Sequence, residues 1–466
     1  MTIQSAVRGL GILGVCVLSA CAPFGKQAPL AEPTAYSLPQ GRSASIARAQ
    51  WWAQLNDSKL NHLVNQALAT SPSLRTAQAR FEQAQAQLGI TESAAKTQVG
   101  LAVRGIGTYV SNKPAAQNTD TDHTLMIANA ALQGSWSFDF WGKNRAQVAA
   151  VLGQRQALVY EAEQIRIELA NAVVTQYVAW QGLTAQQQIL AQRLNDTAET
   201  EKLLKQRIRA NLLPPSAVYP VEMAQQQIQA QQLQLERSIA KVRHSLAVLS
   251  GSSPNALDGQ MPAALKAAPA LAAANIRADL LGRRPDIAAQ RALLESRSQN
   301  IKAAKAEFYP NIELKLLAGL SSIDAFNVIS SNHAGMLGVI PALNLPIFTS
   351  GALQSKLALR NAEYNQQVAA YDQSVLNAMR AAADAVSDYQ TLQGQAALQQ
   401  RAADIARKTA RSTQRRVGAG LENKLAYLQK QDEALQSAAQ AVQAQSDLLA
   451  AWSNVHAQLG GGFQAE

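Results

Sequence analysis

The stretch TLMIANAALQGSWSFDF, residues 124–140, alternates between apolar side chains and polar or small ones. Its even positions include the apolar Met126, Ala128, Ala130, Leu132, Trp136 and Phe138, and its odd positions include Asn129, Gln133, Ser135 and Asp139. A period of two places these sets on opposite faces of a β-strand. Residues 97–110 and 311–322 alternate in the same way, and 334–348 do so less regularly. The sequence therefore predicts four half-buried strands, arranged as two hairpins.

A long proline-free segment follows the first strand pair, from Gly142 to about Leu194. Roughly fifty residues at 1.5 Å each form a helix of about 80 Å, which is longer than a globular core can use. The return segment 228–249 carries apolar residues at spacings of three, four and seven, as in a coiled-coil seam. Asn211 and Gly420 are of the residue types that most readily adopt the left-handed conformation at a helix end. We expect the long helices to turn back at these two residues.

The same order of features occurs twice when the chain is placed on itself with a shift of roughly 210 residues. The aligned pairs are Pro72 with Pro285, Gly142 with Gly351, and Asn211 with Gly420. Each copy opens with an Ala/Gln-rich segment of helical composition, about 58–95 and about 273–307, in which the proline suits the first turn of a helix. We predict one duplicated unit of strand hairpin and long helices, with repeats at 51–262 and 263–462.

The tetrapeptide LSAC, residues 18–21, follows an apolar run that is too short to cross a bilayer as a permanent helix and is typical of an export signal. It resembles the lipobox of bacterial lipoproteins. We predict a signal peptide over 1–20, lipidation of Cys21 as the mature N-terminus, and an extended lipid-anchored segment over 21–50. The alternative is an ordinary signal peptide with a chance cysteine. The only other cysteine, Cys16, would leave with the signal, so no disulfide is expected.

Composition argues against several other functions. The formal net charge of +10 comes from basic residues interspersed with acids and glutamines, so nucleic acid is not an expected partner. The five histidines are scattered without metal-ligand spacing, and no GxSxG, P-loop or HExxH motif is present. The Gly105-Ile106-Gly107 stretch lies in a predicted strand rather than before a helix, unlike a nucleotide-binding loop. We expect no enzymatic activity, no metal and no cofactor apart from the covalent lipid on Cys21.

Strands of this length, with one apolar and one polar face, match membrane-spanning β-strands. Four strands cannot close a barrel, and an open edge in lipid leaves backbone groups unpaired, so several chains would have to share one barrel. The polar tracts 111–123 and 321–333 would then be loops on one side of the membrane. The alternative is two soluble hairpins that lie on the helices.

Several motifs resemble those of the outer membrane efflux proteins, the TolC, OprM and NodT group. They are LLGRRPDIAAQ (280–290), Trp51-Trp52, and RRVGAGLENKLAYLQKQ (415–431), beside the lipobox and the duplicated plan. The resemblance covers about residues 45–462. It implies a fold that is mainly α with membrane β, in which a homotrimer forms an outer-membrane β-barrel and a periplasmic α-helical barrel.

The resemblance also implies a passive exit duct for small toxic compounds in the outer membrane. An inner-membrane transporter of the resistance-nodulation-division type would drive it through a periplasmic adaptor protein. Glu422 corresponds to an acid at the constricted periplasmic end of such ducts, so Glu422, Asn423 and Lys424 are the aperture candidates. A ring of carboxylates narrows a pore and favours cations. The alternative is that Glu422 is a solvated charge at a helix start, which the helix dipole favours.

Two other functions stay open at this point. The first is a lipid-anchored coiled-coil tether between envelope layers without channel activity, which would need no lipid-facing strands. The second is an outer-membrane duct for type I protein secretion, which uses the same fold. The alternation of residues 97–110 and 311–322 speaks against the tether, and the LSAC and LLGRRPDI motifs favour efflux over secretion.

Overall fold

The computed structural model describes residues 24–34, 49–111, 122–271, 283–323 and 334–464. They form two compact units, and each unit takes segments from both predicted repeats. The strand unit contains the described residues of Met1–Pro33, Phe81–Ala157 and Gln290–Tyr371, and the helical unit those of Thr34–Arg80, Leu158–Ala289 and Asp372–Glu466. The signal segment 1–20, Cys21, and most of the predicted loops 111–123 and 321–333 lie outside the described residues.

The four predicted strands are present. They are β1 (Gln98–Ser111), β2 (Asp122–Phe138), β3 (Asn311–Ile323) and β4 (Ala334–Asn344), in one antiparallel sheet of order β1-β2-β3-β4. The strand β4 ends at Asn344 rather than near residue 348, because Pro346 has no N–H to continue the ladder. Within the chain, β1 and β4 are the two edges of the sheet.

The register of the sheet places apolar residues of all four strands on one face. Directly paired residues share a face, and Leu101, Leu132, Ala318 and Leu337 form one such row across the sheet. Leu101, Leu132 and Leu337 of this row are all exposed, so none of the described residues covers it. A row on the other face contains Gln98, Ser135, Lys315 and Ile340. The sheet is thus apolar on one side, while the other side mixes polar residues with Leu317 and Ile340, in line with the less regular alternation expected for 334–348.

Seven α-helices carry the rest of the described chain. They are α1 (Ser58–Thr70), α2 (Pro72–Ala94), α3 (Lys143–Arg209), α4 (Tyr219–Leu249), α5 (Pro285–Ala306), α6 (Ala352–Gly418) and α7 (Lys424–Gln458). The predicted segment 58–95 divides at Ser71, because a residue before proline is disfavoured in the helical conformation. In the part of the chain that is described, no helix has both the length and the apolar character to cross a bilayer.

The long helices show the duplication directly. Both α3 and α6 contain 67 residues, so each is about 100 Å long. The proline-free stretch of roughly fifty residues is part of a longer helix, since α3 continues to Arg209 and ends at the predicted turn-back. Asn211 and Gly420 adopt φ angles of 56° and 72°, which confirms the predicted left-handed turn-backs. Residues 260–271, which contain the predicted boundary between the repeats, form neither helix nor strand, and we call them the linker.

The main core lies in the helical unit and is rich in tryptophan. Its largest fully buried side chains include Trp51, Trp52, Tyr177, Trp180 and Trp452. Along α6, the buried alanines at 396, 403 and 410 recur every seven residues, as in a coiled-coil seam. Small residues also allow α3 and α7 to approach each other closely, since a Cβ on Gly182 of α3 would lie 2.8 Å from Ser446 Oγ of α7.

The GRRPD motif has a structural role in the helical unit. The buried Arg284 donates from Nη1 to the carbonyl oxygen of Gln458 at 2.7 Å and from Nη2 to Asp286 Oδ2 at 2.8 Å. Gly460 has a φ of 88°, and a Cβ there would lie 2.4 Å from the Arg283 carbonyl oxygen. The motif therefore fixes the start of α5 against the end of α7, and the glycine permits that approach.

Candidate functional site

The three aperture candidates lie together at the second turn-back, directly after Gly420, but have different contacts. Asn423 is the N-cap of α7, where its side-chain oxygen accepts a hydrogen bond from Ala426 N at 2.9 Å. The Glu422 Oε2 atom lies 3.7 Å from Arg416 Nη2, and Oε1 accepts from Asn423 N at 3.3 Å. Glu422 and Arg416 thus form an ion pair across the turn within one chain.

Lys424 contacts the other repeat. Its Nζ atom donates to Glu199 Oε1 on α3 at 2.7 Å, and this hydrogen bond and the lysine charge lower the pKa of Glu199. Farther along the same two helices, Arg193 Nε and Nη2 donate to the two carboxylate oxygens of Asp432 at 2.7 and 3.4 Å. Both contacts are in the helical unit and connect α3 with the first third of α7.

The forked Arg193–Asp432 pair is the stronger of these connections. Two parallel N–H···O bonds fix both position and orientation. Asp196 lies beside it, where burial and then the charge of Asp432 raise the pKa of the Asp196 carboxyl. Sequence reasoning missed the pair, because Arg193 and Asp432 are 239 positions apart and belong to no motif.

A buried carboxylate, Asp57, ties the linker between the repeats to the core. Its Oδ1 caps α1 by accepting from Lys59 N and Leu60 N at 3.0 and 3.1 Å. Its Oδ2 accepts from the Tyr177 hydroxyl at 3.0 Å and from Gln181 Nε2 at 3.1 Å. The Tyr177 oxygen in turn accepts from the linker amide of residue 263 at 3.1 Å. Burial is the main cause that raises the Tyr177 pKa, so the phenol stays protonated and donates to Asp57.

An extended segment, residues 24–34, follows the predicted lipidation site. In the strand unit, the Phe24 ring lies 4.8 Å from the Phe308 ring between centroids, edge to face. Ala31 N donates to Asn365 Oδ1 at 2.8 Å, and Asn365 Nδ2 donates to the Pro29 carbonyl oxygen at 3.2 Å. These contacts hold the segment against α6. Cys21 itself is outside the described residues, three positions before Phe24.

The contacts of Phe24 belong to an aromatic cluster beside the strand ends. Tyr309 stacks on Trp141 with 4.5 Å between ring centroids, and Trp141 Nε1 donates to the Pro310 carbonyl oxygen at 2.9 Å. Tyrosine and tryptophan are enriched where a protein passes from lipid to water. Among the described residues, no group of three or more His, Cys, Asp or Glu side chains is placed to hold a metal ion.

Comparison with known proteins gives a consistent result. The sequence pattern of the outer membrane efflux protein family matches residues 63–252 and 264–461. The chain is 30% identical over 488 residues to the multidrug resistance outer membrane protein MdtQ of Escherichia coli O6:H1, and the match covers 96% of each chain. It is 28% identical over 436 residues to the multidrug resistance outer membrane protein MdtP of Escherichia coli K12, over 91% of this chain and 88% of that one.

A solved structure shares the same architecture. The outer membrane protein VceC of Vibrio cholerae superposes with a TM-score of 0.76 at 29% identity. The superposition covers 90% of this chain and the whole of VceC. The similarity therefore includes both repeats rather than one of them.

Proposed function

Because this chain belongs to the outer membrane efflux protein family, we propose that it is the exit duct of a tripartite efflux pump. The predicted family, the duplicated and mainly helical fold, and the location in the bacterial outer membrane are confirmed by the two-part family match, the relatives and the VceC superposition. The protein is an outer membrane efflux channel, and the match favours this function over a tether. The observation that carries the proposal is the exposed apolar face of the sheet, joined to helices of 67 residues.

The duct works as a homotrimer. The sheet of one chain has two edges, β1 and β4, whose outward backbone groups have no partner in that sheet. In a bilayer each unpaired backbone group costs several kcal/mol, so the edges must pair with those of other copies. Three copies with four strands each close a twelve-stranded barrel. The long helices of the three copies extend the duct into the periplasm, where an adaptor protein binds.

Transport through the duct is passive and is driven from the inner membrane by a transporter of the resistance-nodulation-division type. Relatives named as multidrug resistance proteins support small toxic compounds as the transported class. The duct holds no cofactor of its own.

Drug resistance in cells tests this function. The chain is expressed with the adaptor and transporter genes of the same organism in a bacterium that lacks its own outer-membrane channel. We expect higher minimal inhibitory concentrations for several unrelated drugs and faster dye efflux, each dependent on all three proteins. A trimer that reaches the outer membrane but restores neither contradicts the proposal. Export of a protein substrate instead would indicate a secretion duct.

Lipidation of Cys21 anchors the mature N-terminus. The support is the LSAC motif together with the position of Phe24, which packs on Phe308 in the aromatic cluster. Three residues span at most about 10 Å, so the acyl chains start close to that cluster. Mass spectrometry of the purified protein should detect a triacylated N-terminal peptide. An unmodified Cys21 thiol in the mature chain would rule lipidation out.

Glu422, Asn423 and Lys424 form the periplasmic aperture. They follow Gly420 at the end of the helical hairpin, where three-fold symmetry repeats each side chain three times around one axis. The Glu422–Arg416 pair supplies the donor that a ring of carboxylates needs, and the Lys424–Glu199 contact ties the second hairpin to α3. Opening of the aperture requires these exposed contacts to separate, and each costs little to break.

A further inference from the structure

A cavity of about 450 Å³ lies in the helical unit, between the linker and three long helices. We call it the linker cavity. Its walls come from α3, α6, α7 and linker residues 261–265, and most of the lining side chains are apolar, with alanine the most frequent. Cavities of this size, with a mainly apolar lining and a few polar groups, are typical of small-molecule sites. The size and composition of the linker cavity thus point to a ligand.

Hydrogen bonds hold the linker in the position that forms this cavity. Lys59 Nζ donates to the Met261 carbonyl oxygen at 2.8 Å. Lys266 Nζ donates to the Asn56 carbonyl oxygen at 2.7 Å, and the Lys266 carbonyl oxygen accepts from Gln445 Nε2 on α7 at 3.3 Å. The linker is therefore bonded at both ends of the stretch that lines the cavity, which makes the cavity a built part of the fold.

One buried hydroxyl in the cavity wall has no partner. Thr184 on α3 is 6% exposed, and its Oγ1 makes no hydrogen bond with any described residue. Threonines elsewhere in these helices, such as Thr197 on α3 and Thr409 on α6, donate to the carbonyl oxygen four residues earlier. Buried polar groups in folded proteins nearly always have a partner. A hydroxyl or N–H group of a ligand in the linker cavity would supply one for Thr184.

The other polar groups of the wall determine which ligand fits. Gln181 uses a side-chain N–H on Asp57 and Gln445 uses one on the linker, so the amide oxygen of each remains to accept from a ligand. Arg407 is the one charged residue among the described residues of the lining, and its Nη1 lies 3.3 Å from Asp404 Oδ1. A fitting ligand is therefore uncharged, carries an O–H or N–H donor, and has an apolar body.

Assembly with other copies of the chain leaves the cavity accessible. The cavity residues of α6 are Gln400, Ala403 and Arg407, whose spacings of three and four place them on one side of the helix. Leu398 and Ile405 are 66% and 65% exposed, and the helical period of 3.6 residues places them on the opposite side. Apolar contact with another copy would cover Leu398 and Ile405 and not the cavity.

We propose that the linker cavity binds a small uncharged molecule with a hydrogen-bond donor and an apolar body, and that the bound molecule restrains opening of the duct. Such a molecule contacts α3, α6 and α7 together, and Ala438 in the wall is about 20 Å of helix from the start of α7 at Lys424. Opening of the aperture separates α7 from α3, which a molecule bound to both opposes. The binding is independent of the proposed function, whereas the effect on opening rests on it.

Equilibrium dialysis of the purified trimer in detergent tests the binding. The probes are 2-naphthol, an uncharged bicyclic compound with one hydroxyl donor, and its methyl ether, which has the same body without the donor. Thr184→Val removes the unpaired hydroxyl and keeps the shape of the side chain. Thr409→Val makes the same change at an exposed threonine outside the cavity lining. Ala438→Phe fills the cavity and measures the probe that detergent takes up. Native mass analysis first confirms that all variants remain trimers.

We expect the parent and Thr409→Val to bind 2-naphthol several-fold more tightly than the methyl ether, since one additional hydrogen bond contributes an effect of that size. Thr184→Val should bind both probes equally, and Ala438→Phe should bind neither above the detergent background. Absence of 2-naphthol binding by the parent, equal binding of both probes by the parent, or unchanged binding by Ala438→Phe would each overturn the site.

Single-channel recording in planar bilayers tests the effect on opening. 2-Naphthol should lower the open probability of the parent and of Thr409→Val several-fold, but not that of Thr184→Val, and the methyl ether should have little effect. Donor-specific binding without this change would overturn the restraint on opening and leave the proposed function intact. A trimer that binds 2-naphthol in the cavity but forms no channel would contradict the proposed function and the restraint, and would still support the site.

Discussion

Asp57 connects the start of α1 with α3 and, through Tyr177, with the linker amide of residue 263. It accepts four hydrogen bonds while only 6% exposed, and one of them passes through Tyr177 to the linker. We expect Asp57→Ala to lower the free energy of unfolding by roughly 2–4 kcal/mol, because a helix cap is lost and buried donors are left unpaired. Thermal unfolding in detergent measures this. Tyr177→Phe removes only one donor and should lower the free energy of unfolding by less. An equal decrease for both variants would show that the helix cap and the hydrogen bond from Gln181 contribute nothing to stability.

His456 makes the helical unit sensitive to acid. The ring is 2% exposed, lies between Trp51 and Trp452, and neither nitrogen has a hydrogen-bond partner among the described residues. Burial lowers the pKa of His456 from 6.5 to about 4. The folded protein therefore favours the neutral ring, and the unfolded chain binds an extra proton between these two pH values. Stability is complete above pH 6.5 and falls as the pH drops toward 4, by about 3 kcal/mol in all.

Unfolding midpoints between pH 7.5 and pH 4 check this linkage. Over that range the free energy of unfolding of the parent should fall with decreasing pH more steeply than that of His456→Leu. The difference should correspond to one additional proton taken up on unfolding, because leucine does not titrate. Parallel pH profiles for the two proteins would assign the acid sensitivity to other groups.

The second turn-back is an element whose geometry depends on one glycine. Gly420 has a φ of 72°, whereas Gly418 ends α6, and a Cβ on either residue would meet no atom within 4 Å. Backbone strain is thus the main difference between them. We expect Gly420→Ala to cost about 1 kcal/mol, because side chains disfavour the left-handed conformation. Gly418→Ala should be neutral or slightly stabilising, since alanine favours a helix. Thermal unfolding of the two variants distinguishes strain from crowding, because crowding would affect both alike.

The contact between Glu422 and Arg416 joins the two sides of the same turn. We expect Glu422→Gln to raise the open probability of the channel several-fold and to weaken its cation preference, because three exposed pairs of about 0.2–1 kcal/mol each are lost in a trimer. Single-channel recording in planar bilayers measures both. Glu433→Gln is the control, since that acid pairs with Lys430 on its own helix. If Glu422→Gln conducts like the parent, Glu422 is only a solvated charge at a helix start.

At the scale of the whole molecule, the unpaired edges of the sheet require assembly. We expect the purified protein to be a trimer by native mass analysis and to form channels only in that state, because four strands cannot satisfy their own edges in lipid. A monodisperse monomer that conducts would contradict this.

A pair of variants tests which face of the sheet meets lipid. Leu337→Arg places a charge on the apolar face and should reduce membrane insertion, since arginine facing lipid costs about 2–4 kcal/mol near the bilayer centre. Gln133→Arg changes the opposite face and should assemble normally. The yield of trimer in the outer-membrane fraction compares the two.

The sequence alone determined the features that depend on local backbone chemistry. The period of two in residues 124–140 predicted a strand, and Asn211 and Gly420 predicted the turn-backs, because side-chain alternation and left-handed φ angles are properties of a few neighbouring residues. The sequence has no helix breaker before Asn211, and α3 accordingly continues to Arg209. The LLGRRPDI motif identified the family, although its contacts became visible only in the fold.

Only the tertiary structure decided which side chains meet. Arg193 and Asp432 are 239 positions apart, and no local pattern marks either of them. The donor beside Glu422 could have been Lys424 or Arg416, and the way α7 packs on α3 directs Lys424 to Glu199 and leaves Arg416 for Glu422. Ion pairs form between groups that folding brings within a few ångströms, and that distance depends on the positions of whole helices. For the same reason each compact unit combines segments of both repeats, an organisation that no single stretch of the sequence contains.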